Sequence, residues 1–265
     1  MRTHRPPLAS LVALASLLGS GCVHRAFFTD GSSVSYGRAD RGLLRGGREL
    51  PPEGRGYVVP ALWRERGTQW GTDEIVAAIE RAARVVDEKL PGGLLGVGDL
   101  SRRGGGRSPF HKSHENGRDA DLIFYAVDAA GAPVVPTNAM PRYGRKLRAR
   151  APYERTEVAI SPRFFDLRRN WALVTALLDD PSIDVEYLFI SERLRDQLLD
   201  WARAAGEDPE TIARAARALR QPHHALPHDD HLHLRIRCPR SDLWQGCVDE
   251  GRVRLRVDRW SPPVT

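Results

Sequence analysis

Long apolar runs are missing from the chain after its first twenty or so residues, so no later stretch is suited to a transmembrane helix. The sequence also lacks a dense lysine and arginine tract interleaved with aromatics, which argues against a nucleic-acid partner. Its Gly104–Gly106 run is not followed by the Lys-Ser/Thr pair of a phosphate loop, and no repeat or low-complexity block is present. Neither a His-Glu-x-x-His helix motif nor a glutamate just before the downstream histidines occurs. Cysteines number only three in 265 residues, and a chain of this length buries a core without outside help. The net charge of +6 is modest and spread along the chain, which suits a polyanion such as a cell-wall polymer or an anionic membrane.

The N-terminus reads as a targeting segment. Arg2, His4 and Arg5 precede an apolar run over 8–18, and Gly19, Ser20 and Gly21 lead into Cys22. This resembles a bacterial lipoprotein signal over residues 1–21 with the lipid on Cys22, although Gly19 stands where an aliphatic residue is usual; a plain secretory cut is the alternative. Residues 22–32 are then a tether and 33–265 the folded body, exported to the periplasm and held at the outer membrane. With Cys22 lipidated, Cys238 and Cys247 remain to close a short loop, a bridge that adds about 2–3 kcal/mol in an oxidising compartment. A zinc role for this pair is the weaker reading.

Irregular structure is expected up to about residue 56. Ile75, Ile79, Ala82 and Val86 share one face of a helix over 72–90, with Thr72 able to cap it and Pro91 and Gly92 to stop it. Further helices are expected over 170–178, after a Ser191 cap, and from Asp208 and Pro209 to about 219. Strands are expected over 94–97, 121–127, 185–190 and 231–237. In the last, Leu232, Leu234 and Ile236 alternate with His231, His233 and Arg235, so one face meets a core and the other carries reactive groups. Helices and strands mix without regular βαβ alternation, which predicts a single α+β domain with a small, mostly antiparallel sheet flanked by helices.

Two distant clusters carry the chemistry: His111, Ser113, His114, Gly117, Asp119 and Asp121 in one, and His228, Asp229, Asp230, His231, His233 and Arg235 in the other. A hydrolytic zinc site needs three protein ligands and an open position for water, whose pKa the metal lowers to about 7. The economical ligand set is His114, Asp121 and His233. His231 shares a strand face with His233 and can act as general base, leaving His228 and His111 to hydrogen-bond the carbonyl, its oxyanion or the leaving amine. Asp119 either orients a ligand histidine or bonds local backbone. Ser113 is read as holding its turn and Gly104–Gly106 as a flexible approach to the site. Asp229 and Asp230 either neutralise imidazoles or cap the strand entry. Arg118 and Arg235 are read as solvated, and His4, His24, His223 and His224 as loop or surface histidines.

The spacing His-x-Ser-His-x-x-Gly-x-Asp-x-Asp from His111, with His-Asp-x-His-x-His-x-Arg from His228 and Cys238-Pro239 beyond, resembles the penicillin-insensitive murein endopeptidases. Gly98 to Ser101 before Gly105 and Gly106, and Phe165 and Asp166 through Trp171, extend the resemblance from about residue 33 to about 247. These are zinc peptidases of the wider group holding lysostaphin-type enzymes, D-Ala-D-Ala metallopeptidases and the hedgehog domain. The resemblance implies the same ligands, His114, Asp121 and His233, with His231 as base and His228 and His111 in the site. It implies hydrolysis of the cross-link between D-alanine and meso-diaminopimelate in peptidoglycan, with zinc-bound hydroxide as nucleophile. A D,D-carboxypeptidase of the same zinc group, and a zinc-containing lipoprotein that binds murein without cutting it, are the rival readings. Best-known members are richer in cysteine and lack a lipidation signal, and aromatics are replaced here by residues 223–227.

Overall fold

The computed structural model describes residues 31–153, 160–223 and 225–249. The targeting segment, Cys22 with most of the tether, and His4, His24 and His224 lie outside the described residues. Within them the chain is α+β. A seven-stranded sheet runs, in spatial order, Leu219–Arg220, Val185–Phe189, His231–Ile236, Asp119–Ile123, Leu95–Val97, Tyr57–Val58, Glu53–Gly54. Its pairings are antiparallel except Val185–Phe189 with Leu219–Arg220 and Tyr57–Val58 with Leu95–Val97.

The helix expected over 72–90 is Asp73–Lys89, and Thr72 caps it by accepting from the Ile75 N–H at 3.4 Å. Its apolar face packs with Trp171, Leu173 and Val174 of the Leu167–Leu178 helix and with Ala120, Leu122, Leu232, Leu234 and Ile236 of the central strands. Each leucine, valine or isoleucine among them, taken fully from water, contributes about 1.5–3 kcal/mol. The core therefore claims one face of the two central strands, and alternation sends Asp119, Asp121, His231, His233 and Arg235 to the other.

Several elements depart from the sequence expectation. The strand expected over 121–127 is Asp119–Ile123, and a separate Ala126–Val127 pairs with Phe164–Phe165. The break falls where Asn170 takes the Tyr125 backbone, accepting its N–H at 3.1 Å and donating to its carbonyl at 2.9 Å. The second helix begins three residues earlier than expected, because Asp166 accepts from the Arg169 N–H at 3.0 Å. The stretch before residue 56 is not irregular throughout: Val34–Arg38 and Arg41–Arg45 form a hairpin. Buried serines anchor it, with Ser33 and Asp73 exchanging side-chain to backbone bonds and the Ser35 N–H donating to Asp242 at 2.8 Å. Those polar contacts leave no hydrophobic period in the sequence.

The helix caps differ in strength. Asp166 also pairs with the Arg169 guanidinium at 2.7 Å, whereas Ser191 precedes the Glu192–Ala204 helix without a side-chain cap bond. Asp166→Ala is expected to lose about 1–2 kcal/mol and Ser191→Ala under about 0.5 kcal/mol in urea unfolding. Equal losses would show that the Asp166 cap adds nothing.

Candidate active site

Strand register assembles the site. His231–Ile236 pairs with Asp119–Ile123 so that His233 lies opposite Asp121 and Arg235 opposite Asp119. On the other side Phe189 is opposite His233 and Tyr187 opposite Arg235. Gly98 comes close to the back of this pair, where a Cβ would stand 3.2 Å from the Asp121 carbonyl and 2.5 Å from Met140 Cε. Glycine there lets the loop after Leu95–Val97 lie against the Asp119–Ile123 strand.

His114 enters from a loop in the left-handed conformation, φ 68°, which costs a non-glycine residue on the order of 1 kcal/mol or more. Two bonds hold it there. Its backbone N–H donates to Asp119 Oδ2 at 2.9 Å, and its ring Nδ1 lies 2.6 Å from the Leu100 carbonyl. A carbonyl only accepts, so Nδ1 carries the proton and Nε2 the lone pair. That Nε2 is buried, has no hydrogen-bond partner, and lies 3.4 Å from Asp121 Oδ1.

Four imidazoles converge on Asp121. His233 Nδ1 is 3.0 Å and His231 Nε2 3.3 Å from Oδ1, while His111 Nε2 is 3.6 Å from Oδ2. The far nitrogens of two rings face carboxylates, His233 Nε2 at 3.1 Å from Asp119 Oδ1 and His231 Nδ1 at 2.8 Å from Asp230, while His111 shares its Nε2 between Asp121 and Asp99, 2.8 Å away. Both ring nitrogens of His233 thus face carboxylates, which raise its pKa against the effect of burial. His114 Nε2 is different: its lone pair faces the Asp121 carboxylate in a buried space with no donor between them. The two repel unless positive charge sits among them.

Two sets of three potential metal ligands have their donor atoms within 4.8 Å of one another: His111, His114 and Asp121, and His228, His231 and His233. The expected set of His114, Asp121 and His233 draws on both and meets at Asp121. The charges follow from the packing. Burial opposes ionisation of Asp119 and Asp121, yet Arg235 and His233 at the first, and His231, His114 and His111 at the second, hold both well below the usual carboxylate range. Burial likewise opposes a charged His231, and Asp121 and Asp230 outweigh it and raise its pKa. His228 goes the other way: burial, reinforced by His231 and His233, pushes it down to about 4.

These groups open on a cleft of about 800 Å3 that also reaches Trp63, Arg66, Phe110, Tyr153 and Leu226. The profile of the penicillin-insensitive murein endopeptidases matches residues 35–254.

The chain belongs to the penicillin-insensitive murein endopeptidase family. It is 27% identical over 212 residues to the enzyme of that name from Haemophilus influenzae, covering 79% of this chain and 65% of that protein. The Pectobacterium atrosepticum protein of the same name is 26% identical over 220 residues, covering 80% and 68%. An Escherichia coli relative so named is 27% identical over 247 residues, covering 92% and 80%. The chain thus spans less than two thirds of the Haemophilus relative's length.

Both readings of Asp119 hold at once, since its carboxylate orients His233 and accepts the His114 N–H. Arg118 and Arg235 are not solvated, contrary to expectation. Arg235 is 4% exposed and grips Asp119 through Nε at 2.6 Å and Nη2 at 3.1 Å. Arg118 is fully buried and donates to Asp249 and to the carbonyls of Ile236 and Val248. The Cys238–Cys247 disulfide forms as expected, and Asp249 beyond it also accepts from the Cys238 N–H at 2.8 Å. Gly104–Gly106 is not a flexible approach but a bonded turn, with Gly106 N–H donating to Glu115 O at 2.8 Å and Gly105 at φ 68°. A Cβ on Gly105 would stand 2.2 Å from Glu115 O. His223 is exposed and outside the cleft lining. Sequence reasoning gave Asp99 no role, because its partners Arg66, Thr68 and His111 lie in separate segments.

Arg235→Met would leave the buried Asp119 charge underpaired. A loss of about 3–5 kcal/mol is expected in urea unfolding, and a change below about 1 kcal/mol would show the pair to be screened like a surface ion pair.

Proposed function

We propose that residues 33–265 form an exported zinc endopeptidase that hydrolyses the D-alanyl–meso-diaminopimelyl cross-link of peptidoglycan, working in the periplasm from a lipid on Cys22. Family membership supports peptidoglycan as the substrate. The observation that carries the metal is the meeting of His114 Nε2 and His233 Nδ1 at Asp121 Oδ1, with no protein donor to relieve His114 Nε2. Two imidazoles and one carboxylate are a zinc donor set. Zinc bound there would polarise the scissile carbonyl and make water ionise near neutral pH.

The chain's own residues do the rest. The Leu100 carbonyl fixes the tautomer of His114, and with a metal bound Asp119 would keep the His233 proton on Nε2, so that each ring would present a lone pair. His231 has the Asp230 carboxylate 2.8 Å from Nδ1, and its Nε2 at the cleft would take the proton of the attacking water and return it to the leaving amine. His228 is neutral, and its Nδ1 lies 3.3 Å from the Leu226 carbonyl. Its Nε2 is then an acceptor, suited to the substrate amide N–H or the departing amine. That leaves the oxyanion to His111, which Asp99 holds through Nε2 beside Asp121 and which would donate through its Nδ1–H.

His233→Ala is expected to abolish metal binding and sacculus cleavage while the fold survives. Mass spectrometry of digested murein checks the reaction: monomers released from cross-linked dimers support it, free D-alanine alone would make the chain a carboxypeptidase, and unchanged murein a binding protein. Full activity of His233→Ala would sink the assignment.

Asp119→Ala removes the orienting carboxylate without removing a ligand. Zinc affinity should fall about 10–100-fold in a chelator competition, with circular dichroism confirming the fold. Unaltered affinity would mean that Asp119 only shapes the loop.

A further inference from the structure

We infer that Arg66 is a specificity residue that binds the free carboxylate on the amine side of the scissile bond. The inference rests on the endopeptidase reading above. In a D-alanyl–diaminopimelyl link the scissile nitrogen sits on the D-centre of diaminopimelate, and the carboxylate of that same carbon remains free. An enzyme cutting this bond must receive a negative charge two bonds from the leaving nitrogen. The site itself is rich in carboxylates, so a cation must stand beside it.

Arg66 and Lys112 are the only lysine or arginine side chains lining the cleft among the described residues. Lys112 stands on an exposed loop position. Arg66 is held: its Cζ lies 4.3 Å from the Phe110 ring centroid and 5.9 Å from that of Trp63, and Nη1 donates to Asp99 Oδ2 at 2.6 Å. Rings on the guanidinium fix its plane, and the Asp99 bond fixes its rotation in that plane. The same Asp99 oxygen is 2.8 Å from His111 Nε2, which places the guanidinium one carboxylate away from the catalytic histidines. Asp99 occupies Nη1, and the side chain is 20% exposed to the cleft. Its remaining N–H groups form an edge of the geometry that a carboxylate accepts. This arrangement also accounts for Phe110, a large apolar side chain left 48% exposed beside the site.

The test compares two peptides, one with the D-centre carboxylate free and one with it amidated, as dimers for cleavage and as the acceptor stem alone for binding. The zinc-loaded wild-type chain should cut the free-carboxylate dimer with kcat/KM about 30-fold above the amidated one, mostly through KM, and bind the free-carboxylate stem about 10-fold tighter. In Arg66→Met both ratios should fall to about one, and in Arg66→Lys, which keeps the charge and loses the fork, to between those values. A residue acting only through Asp99 and His111 would slow both substrates alike and leave the ratios unchanged, which would overturn the inference. Ratios near one in the wild type would overturn it without any variant. If the wild type leaves both dimers uncut, the endopeptidase reading fails, and the stem-binding ratio still decides Arg66.

Discussion

The Asp119 carboxylate is the contact on which the site depends. It is fully buried and accepts from Arg235 on both oxygens, from His233 Nε2 on one, and from the His114 backbone on the other. One side chain thus joins the loop of the first histidine cluster to the strand of the second. Burying a charge is costly, and the cost is offset here by charge-assisted bonds that use both oxygens. Removing any partner leaves the others with an uncompensated charge, so the cluster is held as a unit.

From that unit the site's asymmetry follows. The strand face carrying Asp119, Asp121, His233 and Arg235 is almost as dry as the apolar face, and it meets the cleft at Asp121 and His231. Electrostatic contacts are strong in such a space, which sets the direction of each shift. His231 lies between two carboxylates, Asp121 and Asp230, which raise its pKa, whereas His228, without an ion-paired carboxylate, is pushed down by burial. Two histidines three residues apart in one segment are thereby shifted in opposite directions.

Much of the site was legible in the sequence. Period-two alternation in 231–236 placed His231 and His233 together on the face opposite the core, and the sheet agrees. The two histidine motifs named the residues that meet around Asp121, although not which of them share a ligand set. The arginines were misread because a lone charge in a sequence is usually solvated, and the partners that bury them, Asp249 and the Ile236 and Val248 carbonyls for Arg118 and Asp119 for Arg235, lie in distant segments of the chain. Asp166 capping and the Asn170 lock on Tyr125 were missed for a related reason: both shift element ends through side-chain bonds that periodicity does not register.

By itself the sequence determined which groups are available and which face of the last strand they share, because side-chain type and period-two alternation are local properties of the chain. Only the tertiary structure decided their work. Cross-strand register set His233 opposite Asp121 and Arg235 opposite Asp119, the left-handed turn at His114 aimed its Nε2 at the same carboxylate, and Asp99 tied Arg66 to His111. Those pairings depend on distances between segments far apart in the chain, and packing of the core fixes them.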